Sequence, residues 1–102
     1  MSNYKLIITI CNSGYAEEIM DQARENGARG GTITKGRGTS HEDETKFFGI
    51  TIHPEKDILM IVADNDSTKG IMTVISNNFG YGKEAHARCF AVPVEDTLGF
   101  NM

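Results

Sequence analysis

The sequence predicts an α+β fold in one domain over residues 1–102: a four-stranded antiparallel sheet with two helices on one face. Three observations predict it. Four runs are rich in β-branched and apolar residues and bounded by turn chemistry, two segments repeat apolar residues at helical spacing, and the six alternate as strand, helix, strand, strand, helix, strand. At 102 residues a split would leave pieces too small to bury a core.

The first strand is YKLIITIC, residues 4–11, closed by the turn residues Asn12, Ser13 and Gly14 and apolar enough to be central. Between residues 15 and 26, Ala16, Ile19, Met20 and Ala23 recur at i, i+3, i+4 and i+7. Glu17, Glu18, Asp21 and Arg24 take the outer face, and Gly27 ends the helix. A short Thr32-Ile33-Thr34 strand follows among glycines, and then TSHEDETK, residues 39–46, which is polar and without period, hence a solvated loop. Residues 47–52 are strand-like, His53-Pro54-Glu55-Lys56 reads as a turn, and DILMIVA, residues 57–63, is a strong strand. After a turn-like Asp64-Asn65-Asp66-Ser67, the positions Ile71, Val74, Ile75 and Phe79 return to helical spacing, with Asp66 or Ser67 as N-cap. Residues 77–88 read as a polar loop. CFAVPV, residues 89–94, is a last strand whose Pro93 places it at an edge or a strand end. This order is met most economically by the ferredoxin-like arrangement.

A hydrophobic share of 39% with 24% charged residues is that of a soluble globule. The formal charge of -4 argues against non-specific nucleic-acid binding, though it leaves room for a local basic pocket. The opening MSNYK runs straight into the first strand without the apolar core or cleavage site of a signal peptide, and no apolar run approaches the ~20 residues of a membrane span. A cytoplasmic protein without membrane insertion is expected. Cys11 and Cys89 sit in apolar runs and read as buried free thiols. Two helices cover one sheet face only, yet DILMIVA and CFAVPV are apolar at nearly every position. The uncovered face calls for oligomerisation, with the subunit number left open.

The segment most informative for chemistry is GGTITKGRG, residues 30–38. Its glycines let backbone amides approach an anion while Lys35 and Arg37 supply charge; a glycine-rich strand with bulges is the purely structural alternative. Lys56 and Arg88 lie next to strands and complete a candidate anion-binding set. His41, His53 and His86 with Glu42, Asp43 and the cysteines raise metal binding, but no His-x-x-x-His or Cys-x-x-Cys pair exists. Neither cysteine has the electropositive, exposed setting of a nucleophile.

From about residue 4 to residue 99 the sequence resembles the PII family of nitrogen regulatory proteins and its PII-like relatives. NGARGGTIT, residues 26–34, resembles the family's segment after its first helix, and Gly36-Arg37-Gly38 the base of its T-loop. FFGITIHPEKDILMIVADND, residues 47–66, resembles the returning limb of that loop, the next strand and the turn into the second helix. RCFAVPVED, residues 88–96, is similar to the basic residue and Phe-x-x-Pro-Val strand that close the family's B-loop. The resemblance implies a homotrimer with ADP, ATP or another adenine nucleotide, accompanied by Mg2+, in clefts between subunits. It also implies a regulator, not an enzyme, that acts on a membrane transporter or metabolic enzyme through an exposed T-loop over residues 39–54, with a B-loop at about residues 80–88. By position, Thr32, Gly36, Arg37 and Gly38 would line the nucleotide, Lys56 and Arg88 would meet phosphates, and Ile61, Val62, Ala63 and Asp64 would border base or ribose.

Three departures from the family pattern bear on the ligand. Residues 39–54 are shorter than a typical T-loop and contain no tyrosine, which excludes tyrosine uridylylation. Residues 84–88, EAHAR, lack the glycine-rich B-loop pattern, and the tail TLGFNM lacks basic residues. AMP, a cyclic nucleotide or a small anion such as bicarbonate therefore compete with ATP as ligand, and 2-oxoglutarate sensing is in question. Other readings of the same topology are a trimeric divalent-metal binder, an RNA-recognition module, which wants exposed aromatics where DILMIVA has none, and an acylphosphatase, which wants an arginine in residues 11–15.

Overall fold

The computed structural model describes residues 3–39 and 45–100. Its elements are β1 (Tyr4–Asn12), α1 (Ala16–Glu25), β2 (Thr32–Arg37), β3 (Thr45–Phe47), β4 (Ile50–Ile52), β5 (Glu55–Asp64), α2 (Asn65–Phe79) and β6 (Arg88–Val94). Strands β2, β5, β1 and β6 form one sheet in that order, antiparallel throughout, with β1 central and the Pro93-bearing β6 at an edge. This is the predicted ferredoxin-like arrangement.

Alternation along the strands decides what each face holds. Ile7, Leu59 and Ile61 point to the helices and are buried with Ile19 from α1 and Ile71 and Ile75 from α2. The residues between them face the other way. There the register sets Leu6 beside Val62 and Val92, Ile8 beside Met60 and Phe90, and Ile10 beside Ile58 and Arg88. No helix among the described residues covers this face, and Phe90 and Val92 are 47% and 40% exposed on it. The apolar second face read from DILMIVA and CFAVPV is therefore present.

Strand β2 runs past Thr34 to Arg37, and β3 starts at Thr45, inside residues read as a solvated loop. Four further boundaries differ from the sequence expectation, each for a local reason. Strand β5 begins at Glu55, because Glu55 and Lys56 pair with Arg37 and Gly36, so Lys56 is a strand residue and not a turn residue. Residues 47–52 are not one strand: Phe48 and Gly49 take φ of 50° and 80° and fold β3 back on β4. Helix α2 starts earlier than expected, since Asp64, not Asp66 or Ser67, caps it, accepting from Ser67 N at 2.7 Å. It runs to Phe79, the last position read at helical spacing, so Asn77 and Asn78, read as loop, belong to the helix. His41 and residues 40–44 lie outside the described residues.

Candidate functional site

Where β1 ends, β2 also ends while β5 and β6 begin, so four strand termini meet at one edge of the open face. They surround a pocket of about 320 Å³ lined by Gly36, Arg37, Gly38, Lys56, His86 and Arg88, with Ile10 and Ile58 as its apolar floor. Five of the residues expected from the sequence to contact a nucleotide, Gly36, Arg37, Gly38, Lys56 and Arg88, thus meet at one place. The glycines have a packing reason as well. A Cβ on Gly36 would lie 2.9 Å from Ile58 Cδ1, and one on Gly38 2.8 Å from Lys56 Cε, so both let β2 close over the strand beside it.

Lys56 is only 7% exposed although it carries an ammonium group. Its Nζ donates to Asn12 Oδ1 at 2.7 Å. Asn12 in turn donates from Nδ2 to Glu84 O and from its backbone N to Ala85 O, both at 2.8 Å, so it ties the lysine to the loop before β6. Tyr15 fixes the same loop by donating to Glu84 Oε2 at 2.9 Å. Arg88 Nη2 lies 3.0 Å from His86 Nε2, and His86 holds a left-handed φ of 48°. Asn12, read in the sequence as turn chemistry, is the functional candidate that reading missed; its signal is its place beside Lys56 in the β1–β5 register.

Other candidates fall elsewhere. Lys35 projects to the helix side, the face of its strand partner Asp57, and donates to Asp57 Oδ1 at 2.5 Å. It joins a structural ion pair and does not share the pocket with Arg37. Thr32 is exposed beside Met60 at the start of β2. Ile61 and Ala63 are buried in the core, which leaves their backbone atoms as their means of contact with a ligand. Val62, Ala63 and Asp64 line a separate hollow of about 70 Å³ with Tyr4, Gly27 and Arg29 at the far end of the sheet. Burial, with the charge of Asp57 and against those of Lys35 and Lys56, pushes the Cys11 thiol up to about 11, so it stays protonated at neutral pH. Both cysteines are free thiols, Cys11 buried and Cys89 half-buried. Among the described residues no three His, Cys, Asp or Glu side chains gather as a metal site.

Fold and site define a class first: a ferredoxin-like domain with glycines and cations gathered at one end of an open, apolar sheet face. The family model for nitrogen regulatory protein P-II matches residues 4–100, and the chain belongs to that family. Among solved structures it is similar to Arabidopsis thaliana PII bound to citrate, with a TM-score of 0.70 at 19% identity over 96% of this chain and 81% of that one. It is also similar to a DUF3240 family protein from Shewanella baltica, with a TM-score of 0.73 at 15% identity over 99% of this chain and 100% of the other. At these identities the likeness is one of fold. No curated protein matches the chain. No helix among the described residues is long and apolar enough to cross a membrane.

Proposed function

We propose that this chain is a cytoplasmic PII-type regulator that binds an adenine nucleotide, ADP or ATP, in clefts between the subunits of a homotrimer. Residues 39–54 then report occupancy to a target transporter or metabolic enzyme. One observation carries the reading: Gly36, Arg37, Gly38, Lys56 and Arg88 line a single pocket. Backbone amides and three cations suit the charge of a di- or triphosphate, and guanidinium groups add directed donors for its oxygens. Val62 to Asp64 at the far end of the sheet would meet this pocket only across a subunit boundary.

Calorimetry with ATP, ADP, AMP and cyclic AMP tests it. ADP or ATP is expected to bind at one site per protomer, and Arg37→Ala and Arg88→Ala each to weaken binding about tenfold or more, as loss of a charged hydrogen bond does. Absence of nucleotide binding, or affinities unchanged in both variants, sinks the proposal. A second reading, that the pocket takes a polycarboxylate, is favoured by the same three cations and by the citrate bound to the Arabidopsis PII. A citrate titration of the same proteins separates the two.

A further inference from the structure

We propose that His86 couples anion capture in this pocket to proton uptake: unprotonated, it holds Arg88, and when an anion takes Arg88 it gains a proton and becomes an additional donor. The inference rests on the pocket reading above, and it names a mode of regulation for that site.

The starting point is the contact of 3.0 Å between Arg88 Nη2 and His86 Nε2. A guanidinium group only donates, so Nε2 must be the accepting, unprotonated nitrogen, with the ring proton on Nδ1. A second proton on the ring would place two cations at that distance with no acceptor between them. Among the described residues, the titratable groups sharing the pocket with His86 are Cys11 from β1, Arg37 from β2, Lys56 from β5 and Arg88 from β6, and none of these is a carboxylate. Lys83 and Glu84 precede His86 on its own loop, where the Glu84 carboxylate is engaged by Tyr15. Positive charge therefore faces the ring from β2, β5 and β6. An anion seated among these cations changes both conditions: it accepts from Arg88, releasing Nε2, and it supplies the negative charge beside which an imidazolium is favourable.

The backbone holds the ring in place for this exchange. His86 N donates to Lys83 O at 3.0 Å, Ala87 N donates to Phe79 O at 2.7 Å, and the left-handed φ of 48° turns the chain sharply between them. A residue other than glycine in that conformation is unusual and marks a constrained position.

The test titrates wild type and His86→Asn with ADP and, separately, with inorganic pyrophosphate, from pH 6 to pH 8.5, in buffers of different ionisation heat. Asparagine tolerates the left-handed conformation, so the loop is kept. Because both ligands have protonation steps of their own, the quantity read is the difference between the two proteins. The wild type is expected to take up as much as one more proton per site than the variant, its affinity advantage growing by up to tenfold per pH unit on acidification. Nitrogen-15 spectra of the imidazole should show Nε2 unprotonated in the free protein and protonated in the complex, a change that a merely structural role would not produce. Equal proton uptake in both proteins overturns the inference and leaves nucleotide binding standing. Binding of pyrophosphate without ADP removes the nucleotide reading, and the coupling is then read from pyrophosphate. Binding of neither ligand overturns both.

Discussion

Asp57 shows how one buried side chain organises the end of the molecule that holds the pocket. It is 3% exposed, yet its Oδ2 accepts from Gly14 N at 2.9 Å and Ala16 N at 3.3 Å while Oδ1 takes the Lys35 ammonium. Tyr15 at the N-cap of α1 offers no side-chain cap, so a carboxylate from β5 does the capping. Burial by itself would raise its pKa, but Lys35 and the two amides outweigh that and hold it below the usual aspartate value. A carboxylate depressed in the folded state stabilises fully above its unfolded pKa of about 3.9, and that contribution is lost as pH falls through the folded value. Asp57→Asn should therefore cost about 1–2 kcal/mol at neutral pH, the scale of a lost cap. In thermal melts the gap between wild type and variant should narrow below about pH 4; a gap independent of pH would contradict this assignment. Thr9 is the opposite case. It is fully buried, and its hydroxyl has no partner among the described residues. Thr9→Val removes that desolvation cost in a residue of similar volume, so the melting temperature should stay the same or rise, by the equivalent of about 1 kcal/mol.

The β3–β4 hairpin is the element whose sequence fits its conformation least well. Phe47 pairs with Ile50, leaving a two-residue turn in which Phe48 and Gly49 both have positive φ. Asn-Gly is the favoured pair for such a turn; a phenylalanine there carries a cost of about 1–2 kcal/mol. Phe48 is 90% exposed, and its ring meets the Phe47 ring edge-on, at 4.3 Å between centroids. Phe48→Asn should accordingly strengthen the hairpin by about 1 kcal/mol, seen as slower amide exchange and stronger cross-strand contacts between Lys46 and Thr51. Unchanged exchange would show that the turn is not strained. This hairpin also marks where the sequence was hard to read. Strands β1, β5 and β6 and both helices were legible because each repeats a pattern over many residues, as in DILMIVA or Ile71, Val74, Ile75 and Phe79, whereas β2 showed only its Thr32-Ile33-Thr34 core. The hairpin has three-residue strands and a turn made with the wrong residue type, so neither period nor turn chemistry announced it. The strand start at Glu55 was missed because its partner, Arg37 across the sheet, is distant in sequence, whereas the cap at Asp64 is local, made by Ser67 N three residues on, and was placed too far along the chain. The pocket was legible as a set of cations and glycines, but the pairing of Lys35 with Asp57 on the helix side and the entry of His86 from the loop before β6 needed the folded chain.

At the scale of the molecule, one apolar surface and two half-pockets ask for the same arrangement. Leu6, Ile8, Ile10, Ile58, Met60, Val62, Phe90 and Val92 share the open face, and a monomer would present them to water as one patch. The glycine and cation pocket sits at one end of β5 by Lys56, and the hollow at Val62 to Asp64 sits at the other. Eight residues of strand separate Lys56 from Asp64, about 27 Å at the usual rise, too far for one phosphate-bearing ligand to touch both within a protomer. In the proposed homotrimer the apolar faces cover one another and the two ends of neighbouring protomers come together. Ile8 lies between Met60 and Phe90 at the middle of that face, so Ile8→Glu would leave an unpaired carboxylate inside the assembly, a cost several hydrogen bonds cannot recover. Its strand partners stay in place and its own position is half-buried in the protomer, so the fold should survive the change. Sedimentation equilibrium is expected to give a trimer for the native chain and a monomer for Ile8→Glu, with circular dichroism unchanged. Nucleotide affinity should fall with the assembly although no pocket residue has been altered. A native monomer would refute the arrangement outright. A monomeric variant that binds nucleotide as tightly as the native trimer would confine the ligand to the Gly36, Lys56 and Arg88 pocket of a single protomer.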